Sequence, residues 1–241
     1  MSGNGGPLEQ ALQWERIIYS SDDQDEIHSA LKEKASCYSE ALMPEEALRT
    51  LDRIRLYLLE PEAISEILLL KSRYSRESGD YGAALGFLEE SGRASVYPSD
   101  YAVLLASSWR LSEAEEQALA CAGTPSEKEQ VIKFFKKAPK IKKEGTAAVL
   151  SFLPPTGQLY LGKPGAGIAS MLLNAGAISF TAIELSAGNW ISGLLGGGLL
   201  LNETFFKGNL QRNLSEVDAV NKASVAEFSR SLDDLLSTFG E

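Results

Sequence analysis

Between Pro164 and Asn202 the chain has one ionisable side chain, Glu184, in a stretch otherwise built from Leu, Ile, Ala, Gly and small polar residues. Nothing else in the sequence limits the fold so strongly. The stretch breaks at Ser186-Ala187-Gly188-Asn189, a turn-forming cluster, into about 21 residues from Gly165 to Leu185 and about 17 from Trp190 to Phe206. A hydrocarbon core of about 30 Å takes roughly 20 helical residues, with 17 near the lower limit. The expected structure is a two-helix transmembrane hairpin, with Trp190 at one interface and Lys207 and Arg212 beyond the other end.

The charge pattern sets the hairpin's orientation. Residues 1–125 carry 11 basic and 22 acidic side chains, residues 126–144 carry 7 and 3, and residues 145–241 carry 5 and 8. The short middle segment therefore reverses the sign of a chain whose net charge is −10. Its Lys133, Lys136, Lys137, Lys140, Lys142 and Lys143 precede the first apolar helix, whereas the turn between the two helices has no basic residue. By the positive-inside bias both ends face the cytoplasm if Met1 is the native start. A removed signal peptide would instead put the polar first half in the periplasm; two crossings keep both ends on one side in either case.

The acidic balance argues against nucleic acid as a partner. Cys37 and Cys121 lie far apart with no metal-ligand spacing, and the chain has a single histidine, His28, so neither a metal site nor histidine-dependent catalysis is expected. Gly162-Lys163-Pro164-Gly165-Ala166-Gly167 lacks the order of a phosphate loop and no strand precedes it, so no nucleotide cofactor is expected. Acidic pairs such as Glu89-Glu90 and Asp233-Asp234 read as charged helix faces.

Residues 7–125 read as helices alternating with short breaks. Pro7, Pro44 and Pro61 mark first helical positions, and Asp22, Asp23 or Asp25 can cap the helix running through Ile27, Leu31, Ala35 and Tyr38. Small residues recur twelve apart, one on each helix of a hairpin: Ala35 and Ala47, Ser72 and Ala84, Ala106 and Ala118. Gly79-Asp80-Tyr81 followed by Ala84 and Leu88 resembles the turn and second helix of a tetratricopeptide repeat. Such arrays present a concave groove, which is expected to hold an unidentified protein or peptide.

Ahead of the first apolar helix lies Leu150-Ser151-Phe152-Leu153-Pro154-Pro155-Thr156-Gly157-Gln158-Leu159-Tyr160-Leu161-Gly162. This turn, with Asn174, Glu203, Gly208, Asn209 and Asn221 further on, resembles bacterial tetratricopeptide-like membrane proteins with a C-terminal P-G-x-G-Q-x-Y transmembrane hairpin. The likeness covers roughly Ala147 to Asn221. It departs at Thr156, which stands where those proteins usually have Gly after the Pro. The resemblance implies an integral membrane protein with no established catalysis, and commonly a secretion signal.

Physically, Pro155 and Gly157 interrupt any helix through this point, and backbone groups freed at membrane depth must find partners. Gln158 is the expected partner, Tyr160 an interfacial residue, and Ala147 to Phe152 a short helix at or dipping into the membrane surface. Asn174, about 14 Å along its helix, is expected near mid-membrane, paired with Asn202, Glu203 or backbone near Gly196. Gly193 and Gly197 form G-x-x-x-G, a smooth face for hairpin self-packing or a homo-oligomer. Val131, Ile132, Phe134, Phe135 and Ile141 among the lysines point to a surface helix on anionic lipid. Leu214, Val217, Val220, Val225, Phe228, Leu232 and Leu235 give residues 210–241 an amphipathic helix that packs on the repeats or lies along the membrane.

The sequence thus predicts an all-α chain: tetratricopeptide-like helical-hairpin repeats (7–125), a basic amphipathic connector (126–144), a membrane domain (145–209) and an amphipathic C-terminal helix (210–241). The expected function is a non-enzymatic, membrane-anchored adaptor that recruits a protein partner, in envelope-protein assembly or insertion. The alternative is an oligomeric channel or transporter component with Asn174, Asn202 and Glu203 along its path.

Overall fold

A computed structural model describes residues 6–153 and 155–240. The leader residues 1–5 and Pro154 lie outside the described residues, as do the side chains of residues 204–208, Phe206 and Lys207 among them. Thirteen α-helices and no strand occur among the described residues. The chain forms two compact units: one comprises residues 1–138 and 228–241, the other residues 139–227.

The first unit contains α1 (Pro7–Ser20), α2 (Gln24–Glu40), α3 (Pro44–Leu51), α4 (Pro61–Glu77), α5 (Tyr81–Glu90), α6 (Pro98–Ser107), α7 (Leu111–Cys121) and α8 (Pro125–Phe135). Pro7, Pro44 and Pro61 open helices as expected, and Pro98 and Pro125 do the same, because a first-turn N–H has no intrahelical partner to lose. Asp23 caps α2, its Oδ1 accepting from Asp25 N at 3.0 Å. A complete capping box, Thr124 with Glu127, starts α8.

Three turns, after α2, α4 and α6, are built alike. Each places one residue in the left-handed region, Leu42 (φ 59°), Gly79 (φ 84°) and Trp109 (φ 70°). The next residue's N–H closes each helix: Met43 N to Tyr38 O, Asp80 N to Ser75 O and Arg110 N to Leu105 O, all at 2.9 Å. Counting from these turns aligns Ala35, Ser72 and Ala102 on the first helices and Ala47, Ala84 and Ala114 on the second. The five alanines are fully buried, and Ser72 Oγ donates to Ala84 O at 2.7 Å. The third pair is therefore Ala102 and Ala114, one helical turn ahead of the expected Ala106 and Ala118. Trp109 occupies the left-handed position where glycine would have revealed the register.

The connector differs from expectation. Val131 and Phe135 of α8 are buried, and Phe134 stacks on Phe228 with ring centroids 4.6 Å apart. The apolar face of α8 is thus filled by protein, with Phe228, Leu232 and Leu236 in the same core, and is not free for lipid. Only Ile132 and Ile141 of the five apolar residues are exposed.

The second unit contains α9 (Glu144–Ser151), α10 (Thr156–Tyr160), α11 (Pro164–Ser186), α12 (Gly197–Leu201) and the first part of α13 (Arg212–Ser237), which passes into the first unit at Phe228. By length and composition α11 can cross a membrane, and only 22% of its apolar window is buried. Its 23 residues span about 34 Å. Gly188, at φ +79°, ends it, and Asn189 N closes on Glu184 O at 2.9 Å. From Trp190 to Ser237 the backbone then stays helical, through wide π turns at Ser192–Gly196 and Asn202–Gln211, so no break separates the second apolar arm from the tail.

The two arms run antiparallel: Gly193 lies against Leu185, Gly197 against Thr181 and Asn209 against Ser170. A Cβ added to Gly197 would stand 2.1 Å from Thr181 Oγ1, and one on Gly193 2.8 Å from Leu185 Cδ2. These glycines set the approach of the arms. Ile168, Leu172, Leu173, Ile178 and Ile183 on one arm, and Ile191, Leu194, Leu195 and Leu199 on the other, are each more than half exposed.

Candidate functional site

The turn ahead of α11 is held by its own backbone and one hydroxyl. After α9, Phe152 N bonds Val149 O and Leu153 N bonds Leu150 O, both at 3.2 Å, and Thr156 N bonds Leu153 O at 2.8 Å. Thr156 Oγ1 lies 2.5 Å from Leu150 O and 2.6 Å from Leu153 O, and its proton is shared between them. Thr156, the departure from the resembled motif, therefore satisfies the carbonyls that a broken helix frees. Gln158, the residue expected to bond those groups, bonds the Asn209 side chain instead.

Each remaining motif residue has a definite contact. Pro155 abuts Gly167 of α11, where an added Cβ would come within 2.9 Å of Pro155 Cβ. Gly157 lets α13 approach: a Cβ there would stand 2.3 Å from Asn213 Nδ2 and 2.8 Å from Ser151 Oγ. Gly162, at φ +76°, ends α10 as Lys163 N closes on Gln158 O at 2.8 Å.

Gln158 is 3% exposed, and its Nε2 donates to Asn209 Oδ1 at 2.8 Å. The Ser170 hydroxyl donates to the same oxygen. Asn174 is buried, with Nδ2 2.8 Å from Ser170 O, its own helix's carbonyl one turn back. On α13, fully buried Asn213 donates to Ser151 Oγ at 2.7 Å, which donates to Ala147 O at 2.6 Å. The result is a buried cluster of amides and hydroxyls linking α9, α10, α11 and the long second arm. Gln158 Oε1, Asn209 Nδ2 and Asn213 Oδ1 find no partner among the described residues. Such atoms cost about 1–3 kcal/mol each, so the cluster specifies one packing more than it adds stability.

A second set of contacts holds the lysine segment. Asn221 binds both sides of one peptide: Lys142 N donates to its Oδ1 at 2.8 Å, and its Nδ2 donates to Lys142 O at 2.9 Å. Lys143 N donates to Tyr160 Oη at 2.9 Å, and the Lys142 ammonium sits 4.7 Å from the Tyr160 ring centroid. Nearby, Glu216 bonds Lys163 at 2.8 Å and Arg212 at 2.9 Å. The Lys163 hydrogen bond is the largest cause holding the Glu216 carboxyl below the usual carboxylate range, with Arg212 adding to it.

The polar residues expected to meet inside the hairpin differ in exposure. Asn174 is buried, whereas Asn202 and Glu203 are exposed. Of the six lysines, Lys133 pairs with Glu129 at 2.8 Å and Lys142 is half-buried at Tyr160, while Lys136, Lys137, Lys140 and Lys143 are exposed. Among the described residues no three His, Cys, Asp or Glu gather to hold a metal. Sequence reasoning missed Ser151, Ser170 and Asn213. The i, i+4 spacing of Asn209 and Asn213, which puts two amides on one helix face, was the available signal.

In the first unit a cavity of about 540 Å³ is lined by Leu69, Leu70, Leu88, Tyr97, Leu104 and Arg73. At its edge Arg76 pairs with Asp100 at 2.6 Å and Asp233 at 2.7 Å. Compared with known proteins, the chain matches no family model, no curated protein and no solved structure.

Proposed function

We propose that the protein is a non-enzymatic, membrane-anchored adaptor of the bacterial inner membrane, akin to the tetratricopeptide-like proteins with a P-G-x-G-Q-x-Y hairpin that its turn motif resembles. The single observation that carries this reading is that α11 and the arm from Trp190 expose a continuous set of large apolar side chains while packing on each other through glycines. A buried helical pair in a soluble core would hide those side chains, and an exposed patch of this size needs a partner. Lipid is the partner that matches an apolar helix of 23 residues, about 34 Å long, with a shorter apolar arm packed antiparallel against it.

The first unit supplies the recognition half. Its alanine-lined helix pairs with repeated left-handed turns support tetratricopeptide-like stacking, and the apolar cavity beside Arg73 and Arg76 is the groove in which a protein or peptide segment would lie. The reading is tested by a photo-crosslinking residue at Tyr97 in cells making the full chain. Capture of one defined membrane-associated protein, lost when Leu70→Glu blocks the groove, supports it. Absence of any adduct at Tyr97 in a correctly membrane-inserted chain refutes the adaptor. Ion flux through liposomes that disappears with Glu203→Gln would establish the channel instead.

A further inference from the structure

The turn motif has a shape that the adaptor reading does not use. α9 leaves the lysine segment at Lys143 and runs eight residues, about 12 Å, to Ser151. The chain turns through Phe152, Leu153 and Pro155, and α10 returns to Tyr160, whose Oη accepts from Lys143 N at 2.9 Å. The loop is therefore closed at its base, with lysines there and the turn at the far end. Val149 (68%), Phe152 (55%), Leu153 (68%) and Leu159 (51%) are exposed on and beside that turn. Lys143 at the base is exposed, as is Lys140 three residues before it; Glu144 beside Lys143 is exposed too. At the turn, Leu150 O accepts from Leu153 N and the Thr156 hydroxyl, and Leu153 O accepts from Thr156 N and the same hydroxyl. Backbone satisfied in this way costs less to bring into hydrocarbon than backbone left bare.

We propose that α9 and α10 with the turn residues Phe152, Leu153 and Pro155 form a re-entrant wedge that inserts its Phe152–Leu153 tip among acyl chains, with Lys140 and Lys143 binding the anionic headgroups of the same leaflet. This rests on the reading of α11 as lipid-inserted, because the wedge leads directly into α11 and shares its bilayer. The occupant is an anionic phospholipid. Its acyl chains suit four exposed apolar side chains, and its phosphate suits two exposed ammonium groups one helix-length away. The wedge gives the protein a preference for anionic leaflets that a plain hairpin lacks. Tyr160 and Asn221 then have a purpose, which is to hold the lysine segment at the wedge's base.

The test uses the full chain with Cys37→Ala and Cys121→Ala, reconstituted into vesicles of phosphatidylglycerol and phosphatidylcholine. Nitroxide labels are placed at Leu153→Cys and, separately, at Leu172→Cys on α11, and collision with oxygen is compared with collision with a water-soluble nickel chelate. Oxygen-dominated collisions at both sites are expected. Nickel-dominated collisions at Leu153 with oxygen-dominated ones at Leu172 overturn the wedge and leave the spanning helix intact. Nickel-dominated collisions at both overturn the two together. In the same vesicles, contact of the Leu153 label with phosphatidylglycerol should exceed contact with phosphatidylcholine by about fivefold for each of the two lysines that reaches the headgroups, up to about thirtyfold. Lys140→Gln/Lys143→Gln should bring that ratio to parity. No enrichment, or enrichment unchanged in the double variant, overturns the headgroup assignment.

Discussion

Gly157→Ala tests whether the buried amide cluster holds the second unit together. The new methyl would stand 2.3 Å from Asn213 Nδ2, 2.8 Å from Ser151 Oγ and 3.1 Å from Ser151 Cα. Asn213 must swing away, losing its 2.7 Å bond to Ser151 while remaining buried, which costs about 1–3 kcal/mol. The α9 backbone must also shift, adding about 1–3 kcal/mol of overpacking. Alanine's better helix propensity returns about 1 kcal/mol. The net expectation is a loss of about 3 kcal/mol. Gly165→Ala is the control, since nothing lies within 4 Å of its added Cβ, and it should be neutral or gain up to about 1 kcal/mol. Both are measured by circular dichroism during SDS titration in mixed micelles. Combining Gly157→Ala with Asn213→Ala should cost less than the two single changes summed, because the closest clash is gone. If Gly157→Ala is as stable as Gly165→Ala, the cluster is not packed as described and the reasoning fails.

Three further outcomes follow from the same contacts. Gly197→Ala should weaken the pairing of the two arms by about 1–3 kcal/mol through the clash with Thr181, whereas Gly198→Ala, with open space around it, should not; energy transfer between dyes on the two arms reads the difference. Asn221→Ala removes two hydrogen bonds to Lys142 and should speed amide exchange there, while Tyr160→Phe should speed exchange at Lys143 alone; equal effects at both amides would contradict the two separate contacts. The Glu216 carboxyl is held low by Lys163 and Arg212, so its folded pKa lies below its unfolded value. Its contribution is then complete above the ordinary carboxylate range and is lost as pH falls through the folded value. The stability gap between wild type and Glu216→Gln should therefore close on acidification, and a gap that widens would reverse the assigned sign.

Local chemistry was the legible part of this sequence. Prolines announced helix starts because a first-turn residue needs no N–H, and the uncharged run around Glu184 announced α11 because few environments tolerate so long an apolar helix. Gly193 and Gly197 were recognisable as a close-approach face, although only packing shows that α11 occupies it. What the sequence hid was long-range or ambiguous in kind. Gln158 bonds Asn209, 51 residues away, a partner no local pattern specifies. The apolar face of α8 looks the same whether it covers lipid or, as found, Phe228 and its neighbours. Trp109 adopts a left-handed conformation usually marked by glycine, so the third helix pair was read one turn late. The role of Thr156, the departure from the resembled motif, is hidden because its hydroxyl's targets, Leu150 O and Leu153 O, emerge only once the helix has broken.

Membrane insertion is the claim on which the rest depends, and vesicle flotation tests it most directly. The full chain, made in the presence of liposomes and washed with alkaline carbonate, should float with the lipid, and should still do so after Phe152→Ser and Leu153→Ser remove the wedge's apolar tip. A chain that stays in the aqueous fraction, monodisperse without detergent, would contradict the account.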